Sequence, residues 1–132
     1  SSAASDVYKR QAFQLQDDLL DVYGDPEVFG KKIGGDILCN KKTYMLIKAL
    51  EHADEKQQEE LNRWLNAETF QPAEKIKAVT EIYNQLNIRN ICESKMREYY
   101  TFAMESLAAV AVAEDRKKEL KNLVKLLMYR EM

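Results

Sequence analysis

Three aspartates near the end of a predicted helix form the densest set of potential metal ligands in this chain. Asp17 and Asp21 are one helical turn apart on the same face, Gln14 lies one turn before Asp17, and Asp18 lies about 100° round. Like charges at this spacing repel, and they occupy the last turn before Gly24, where the helix dipole favours cations. A bound divalent cation would remove both penalties, and oxygen ligands with room for water suit Mg²⁺. The pattern therefore predicts a magnesium site.

A segment rich in glycine and lysine follows these aspartates directly. All four glycines of the chain lie between positions 24 and 35, and the same segment is bracketed by Lys31, Lys32, Lys41 and Lys42. Glycine lets backbone N–H groups approach an anion closely. Residues 22–42 are therefore predicted to form a loop for a metal-bound phosphate or diphosphate. An acidic, solvated helix end with a flexible loop is the alternative.

The residues around the aspartates form a long, nearly continuous pattern. They are Phe13-Gln14-Leu15-Gln16-Asp17-Asp18-Leu19-Leu20-Asp21, Gly24-Asp25-Pro26, Gly30-Lys31, Gly35-Asp36-Ile37 and Asn40-Lys41-Lys42-Thr43. This pattern resembles the second aspartate-rich region of trans-isoprenyl diphosphate synthases. These are the polyprenyl synthetases, which include farnesyl and geranylgeranyl diphosphate synthases. One extra residue, around Lys32, interrupts the match, and a weaker resemblance continues to the end of the chain.

The resemblance implies an all-α fold, in which residues 12–132 form the C-terminal helices of an isoprenoid-synthase bundle. The composition agrees, since the chain from Asp36 onward has no glycine and a single proline, Pro72. Helices are expected over about 41–53, over 55–66, from Pro72, after a break near 87–90, and from about 115. For the first of these, Asn40 is the candidate N-cap, and Tyr44, Ile47 and Leu50 are expected to face inward.

The activity that the resemblance implies is that of a Mg²⁺-dependent prenyltransferase. In this family two aspartate-rich helices face each other across a cavity, and metal ions bridge them to the diphosphate of an allylic substrate. The allylic C–O bond ionises, the double bond of isopentenyl diphosphate attacks the cation, and a proton leaves. Mg²⁺ would neutralise the leaving diphosphate.

The resemblance also assigns roles to the acidic residues. Asp17 would be the direct metal ligand, and Asp18 and Asp21 would bind through water or orient it. Asp36 would support these ligands from behind.

The basic and apolar residues of the motif receive substrate roles in the same way. Lys31 and Lys41 match positions that hold the allylic diphosphate, and Lys32 is the alternative to Lys31. Phe13 and Gln14 match residues that line the isopentenyl side.

Nothing in the chain matches the family's first aspartate-rich motif, which lies upstream in the family. Residues 12–132 are therefore expected to be the C-terminal part of a longer enzyme. The isolated chain is expected to lack prenyltransferase activity, because one carboxylate set cannot hold three metal ions against a diphosphate. It is also expected to self-associate through exposed apolar stripes, whereas the intact enzyme would be a homodimer.

The first eleven residues differ from the rest. Residues 1–11 resemble the translation of a transposon-based sequencing adapter rather than the sequence that precedes this motif in the family. They are predicted to be a non-native tail and are set apart from the fold argument.

The net charge, the apolar runs and the cysteines limit the classes of function that the chain could have. The net charge is −2 and no basic cluster dominates, which argues against nucleic-acid binding. The longest apolar run, 107–113, is too short to cross a membrane, and the two cysteines read as reduced thiols of a cytoplasmic protein. Two alternatives stay open: a class I terpene cyclase-like enzyme and a non-catalytic helical partner subunit.

Overall fold

The computed structural model describes residues 2–29, 33–109 and 114–129. Within these ranges all regular secondary structure is helical, which confirms the all-α prediction. The helices are α1 (Ser2–Tyr23), α2 (Pro26–Phe29), α3 (Gly35–Leu38), α4 (Tyr44–His52), α5 (Glu55–Asn66), α6 (Pro72–Gln85), α7 (Ile88–Ala108) and α8 (Glu114–Met128).

The chain divides into two compact units. One comprises residues 17–92, and the other combines the described parts of 1–16 and 93–132. The C-terminal part of α1 therefore belongs to the first unit together with α2–α6, and α8 belongs to the second.

Helix α6 is the central element of the 17–92 unit, because α3, α4 and α5 all contact it. It begins at Pro72, as predicted, since the fixed φ of proline suits a first helical position where no N–H bond is needed. Val79, Ile82 and Tyr83 are buried on its inner face, and Ile37 is buried on α3. The predicted loop, residues 22–42, therefore contains two short helices, α2 and α3, and α3 is held against the hydrophobic centre of this unit.

Helix α4 differs from the prediction at its start and in its buried face. Its N-cap is Thr43, whose Oγ1 accepts a hydrogen bond from the Leu46 N–H at 3.2 Å. Asn40 instead has a left-handed conformation, with φ of 57°, in the turn after α3. Because the helix begins only at Tyr44, its buried residues are Met45, Leu46 and Ala49, and Ile47 is exposed. The predictions of Asn40 as N-cap and of Ile47 as an inward residue were wrong.

Two other boundaries agree with the sequence. Helix α5 has the expected bounds and begins with a capping box, in which Asp54 accepts from the Gln57 N–H and Gln57 accepts from the Asp54 N–H. The expected break before the long helix lies at Asn87, which has φ of 59° and precedes α7.

In the other unit, aromatic contacts join the N-terminal part of α1 to α7. The centroid of the Tyr8 ring lies 6.3 Å from the centroid of the Tyr99 ring and 5.4 Å from that of the Phe102 ring. Ser5 is fully buried. Residues 2–11 are thus helical and continuous with the rest of α1, while their origin from an adapter stays a prediction.

None of the helices in the described ranges is both long enough and apolar enough to cross a membrane.

Candidate metal and diphosphate site

The last turns of α1 place the three aspartates in three different environments. Asp17 is exposed, Asp21 is half-buried, and the side chain of Asp18 is only 5% exposed. The cause is the helix period, because neighbouring Leu19 and Leu20 are buried and the three carboxylates point in directions that differ by about 40–100°. Of the three aspartates, Asp17 alone is exposed.

The carboxylate of Asp21 holds the start of α3. Its Oδ2 accepts a hydrogen bond from the Asp36 N–H at 2.9 Å, and the Asp21 carbonyl accepts one from the Gly34 N–H at 2.6 Å. A carboxylate that accepts from backbone N–H groups makes a stronger bond than a neutral acceptor does. Asp21 therefore connects Gly34 and Asp36 to α1 and brings Asp36 beside the aspartate cluster.

Lys41 closes the same group from the other side. Its Nζ lies 3.9 Å from Asp18 Oδ1, and its backbone N–H donates to the Asp36 carbonyl at 3.0 Å. The Lys41 side chain is half-exposed, so the ammonium can reach both Asp18 and solvent. The structure thus brings together Asp18, Asp21, Asp36 and Lys41, four of the residues that the sequence nominated.

Several nominated residues are not part of this group. Lys31 and Lys32 lie outside the described residues. Phe13 and Gln14 fall in the other unit, where the Phe13 ring contacts that of Tyr100 edge-on at 6.2 Å and Gln14 is exposed. The assigned roles of all these residues stay predictions.

The donor chemistry of the cluster suits a hard cation. Asp17 is an exposed carboxylate, and its neighbours Asp18 and Asp21 add only oxygen ligands, as Mg²⁺ prefers. Within the described ranges, however, no three His, Cys, Asp or Glu side chains are arranged to enclose a metal ion. The reason is that Asp21 is directed at Asp36 and Asp18 faces Lys41. Asp17 is the exposed member of the three and is the carboxylate that could hold a metal ion.

Lys75 is a residue of this region that the sequence reasoning missed. It is 1% exposed on the inner face of α6, and its Nζ donates to Asn40 Oδ1 at 2.7 Å and to the Leu38 carbonyl at 3.4 Å. Burial lowers the pKa of Lys75 below its ordinary value. The helical spacing could have indicated that Lys75 is buried, because it lies one turn before Val79 on the stripe that faces the core.

A small cavity lies between α3 and α6. Asp36, Asn40, Lys41 and Lys75 line its polar side, and Tyr83 lies among its apolar residues. Burial raises the pKa of the Tyr83 hydroxyl, and the charges of Tyr23 and Asp36 raise it further. This cavity is thus lined by residues of α3, of the turn that follows it and of α6.

A comparison with protein families finds a match that covers this part of the sequence. The family model described as polyprenyl synthetase matches residues 10–85, which include the aspartates, the loop, Lys41 and Lys75. The chain belongs to the polyprenyl synthetase family.

Individual relatives are farnesyl diphosphate synthases and similar enzymes. The chain is 39% identical over 95 residues to farnesyl pyrophosphate synthase 2 of Parthenium argentatum, an alignment that covers 72% of this chain and 27% of that protein. It is 54% identical over 50 residues to a short chain isoprenyl diphosphate synthase of Methanothermobacter thermautotrophicus, covering 38% of this chain and 15% of that protein. The chain thus spans about a quarter of the length of the first of these relatives.

A solved structure has a similar fold. It is geranylgeranyl pyrophosphate synthase from Corynebacterium glutamicum, in complex with isoprenyl diphosphate and magnesium, with a TM-score of 0.74 and 29% identity. The match covers 91% of this chain and 34% of that one. This similarity confirms that the helices are part of an isoprenoid-synthase bundle.

Proposed function

We propose that this chain supplies the second aspartate-rich half of a Mg²⁺-dependent prenyltransferase, which condenses isopentenyl diphosphate with an allylic diphosphate. The observation that carries the proposal is the family match over residues 10–85, within which Asp18, Asp21, Asp36 and Lys41 meet in space. The names of its relatives support the same substrates, since they act as farnesyl and geranylgeranyl diphosphate synthases.

Each residue of the cluster has a distinct task in this proposal. Asp17, which is exposed, would hold the metal directly, and Asp18 and Asp21 would bind it through water or orient that water. Asp36 stands behind them, and Lys41 pairs with a diphosphate oxygen. Mg²⁺, when bound, supplies the positive charge that makes diphosphate a good leaving group.

The loop lysines complete the diphosphate contacts. Lys31, or Lys32 in its place, acts beside Lys41, and Phe13 and Gln14 line the isopentenyl side. Lys41 is suited to its task because Asp18 already attracts its ammonium, so the side chain loses less freedom when a diphosphate binds.

Two alternatives compete with this proposal. The family match favours a synthase over a class I terpene cyclase, because the matched model is that of polyprenyl synthetases. A non-catalytic helical subunit would keep the fold without needing metal binding, so binding of metal and diphosphate separates it from the synthase. We further propose, on the family resemblance alone, that the intact enzyme is a cytoplasmic homodimer.

The test is calorimetric titration of the chain with inorganic pyrophosphate, with and without Mg²⁺. We expect binding that requires Mg²⁺ and that Asp17→Asn weakens at least tenfold, because a direct ligand is lost. Lys41→Met should weaken it by about tenfold as well, the worth of a charge-assisted contact. The control variants are the exposed Glu59→Gln and Lys56→Met on α5, which should bind as the unaltered chain does.

Absence of Mg²⁺-dependent pyrophosphate binding by the unaltered chain would overturn the proposal. We also expect no turnover of isopentenyl and allylic diphosphates by this chain alone. Product formation would show that a single aspartate-rich motif suffices for catalysis.

A further inference from the structure

Lys75 is a cation in the interior of the 17–92 unit, where only 1% of its surface is exposed. Removing an ammonium group from water is unfavourable unless protein groups replace the lost hydration. The long side chain of a lysine can place its charge in solvent, and the side chain of Lys77, two residues later on the same helix, is exposed. Its inward position therefore needs an explanation in what the ammonium contacts.

Three groups surround the Lys75 ammonium. It donates to Asn40 Oδ1 at 2.7 Å and to the Leu38 carbonyl at 3.4 Å, and it lies 4.4 Å from the centroid of the Phe70 ring. The short bond to Asn40 is charge-assisted, and the aromatic face adds a cation–π contact. Two of these three contacts are to residues 38–40, at the end of α3 and in the turn that follows it.

That segment is a turn whose shape depends on Asn40. Leu38 is the last residue of α3, and Asn40 has φ of 57°, which reverses the chain toward Lys41. The amide of Asn40 is held at both ends, because its Nδ2 donates to the Leu65 carbonyl at 3.0 Å while its Oδ1 accepts from Lys75. The amide bridges α6 to the end of α5 through the turn.

The turn joins two residues of the candidate site. Asp36 lies before the turn and Lys41 lies directly after it, and the Lys41 N–H donates to the Asp36 carbonyl. Asp21 secures the beginning of the segment from α1. The end of the segment is secured by Lys75, through Leu38 and Asn40.

We propose that Lys75 is a positioning residue for diphosphate binding, whose buried ammonium fixes the turn 38–40 and thereby places Lys41 against Asp18. Lys75 touches neither metal nor diphosphate and acts only through the turn. The inference rests on the proposed function for its ligand, while its effect on the turn is measured separately.

The test compares Lys75→Met with Lys77→Met in the full chain. Methionine keeps a long unbranched side chain and removes the charge, and Lys77 is the matched control because it is exposed on the same helix. The first readout is amide hydrogen exchange at Leu38, Cys39 and Lys41, whose N–H groups donate to the carbonyls of Gly34, Gly35 and Asp36 respectively. The second is calorimetric binding of inorganic pyrophosphate with Mg²⁺.

We expect Lys75→Met to speed exchange at these amides by about tenfold or more, the loss expected for a hydrogen bond to a charged group. Exchange in the part of α5 that precedes Leu65 should stay unchanged. Pyrophosphate binding should weaken several-fold, and Lys77→Met should change neither readout.

Three other outcomes would contradict either the role of Lys75 or the proposed function. Unchanged exchange in the turn of Lys75→Met refutes the inference, and so does faster exchange with unweakened pyrophosphate binding, since Lys75 would then be structural only. Failure of the unaltered chain to bind pyrophosphate refutes the proposed function, and the positioning role falls with it.

Asn40→Gly provides a second route to the same answer if Lys75→Met does not fold. Glycine adopts the positive φ of this position without strain, so the variant removes the bridging amide and leaves the turn allowed. We expect the same faster exchange and weaker binding, and native values for both would refute the inference.

Discussion

At the scale of single residues, Asp21 and Asp17 show how two carboxylates one turn apart acquire different tasks. The Asp21 side chain accepts the Asp36 N–H at 2.9 Å, whereas Asp17 is exposed. A buried N–H that loses its acceptor carries a desolvation penalty. Asp21 thus stabilises the loop, and Asp17 is available for a ligand.

This difference predicts unequal costs for the same substitution. Asp21→Ala should lower the free energy of unfolding by about 1–2 kcal/mol more than Asp17→Ala, because only Asp21 accepts the Asp36 N–H. Both changes bring the same gain in helix propensity and remove the same repulsion between the two carboxylates. Urea unfolding of both variants measures the difference, and equal stabilities would show that the Asp21–Asp36 bond contributes nothing net.

Tyr83 provides a residue-scale prediction about pH. Its pKa is raised in the folded chain by burial, so the folded state keeps the phenol proton at a pH where the unfolded state, with a pKa of about 10, releases it. The stability contributed by the neutral phenol is therefore complete below about pH 10 and is lost as pH rises toward the folded-state value.

The corresponding experiment is urea unfolding of the unaltered chain and of Tyr83→Phe at pH 8 and pH 11. The unaltered chain should lose more stability over this interval than the variant does. Alkaline titration of Lys75, whose pKa is lowered, acts in the opposite direction but is common to both proteins and cancels in the comparison. Parallel pH dependences would contradict the raised pKa of Tyr83.

At the scale of elements, α3 is a short helix that depends on its packing against α6. Four residues are too few for a helix to be stable alone. Gly34 precedes α3 with φ of 93°, and a Cβ at this position would lie 2.5 Å from Ile76 Cδ1. The absence of a side chain at Gly34 is thus what allows α3 to lie close to α6.

A matched pair of glycine substitutions tests this packing. Gly34→Ala should destabilise the chain by about 2–3 kcal/mol, because alanine is strained at a positive φ and also meets Ile76. Gly35→Ala should have little effect or stabilise slightly, since a Cβ there meets only Asp21 Oδ1 at 3.6 Å. Thermal unfolding checks both, and an equal loss for the two would refute the role of the α3–α6 approach.

At the scale of the whole molecule, large apolar side chains remain in contact with solvent. On α8, Leu126 is 72% exposed and Leu123 is 48% exposed, while on α4 Ile47 is 44% exposed. Apolar surface contributes about 25 cal/mol per Å² when it is removed from water. Burying these side chains against another copy of the chain is therefore favourable.

We therefore expect the chain to associate as its concentration rises. Leu126→Gln should reduce this association, and the exposed Asn122→Gln on the same helix should leave it unchanged. Sedimentation velocity over a hundredfold concentration range distinguishes the outcomes. A single monomeric species at every concentration would contradict the expectation.

Much of the fold could be predicted from local chemistry. The bounds of α5 follow from Asp54 and its capping box, and the start of α6 follows from Pro72. The inward face of α4 could not be predicted in this way. Asn40 and Thr43 are both suitable N-caps. The Asn40 amide is hydrogen-bonded to Lys75 and Leu65 in the preceding turn, and Thr43 caps the helix instead.

The sequence by itself determined the helical class, the family and the carboxylates that could hold Mg²⁺, because helix spacing and motif residues are local properties of the chain. Only the tertiary structure decided that Asp21 holds α3, that Asp18 faces Lys41 and that Lys75 is buried beneath the turn. The physical reason is that burial and hydrogen-bond partners depend on which residues distant in sequence pack together, and spacing along one helix carries no information about its neighbours.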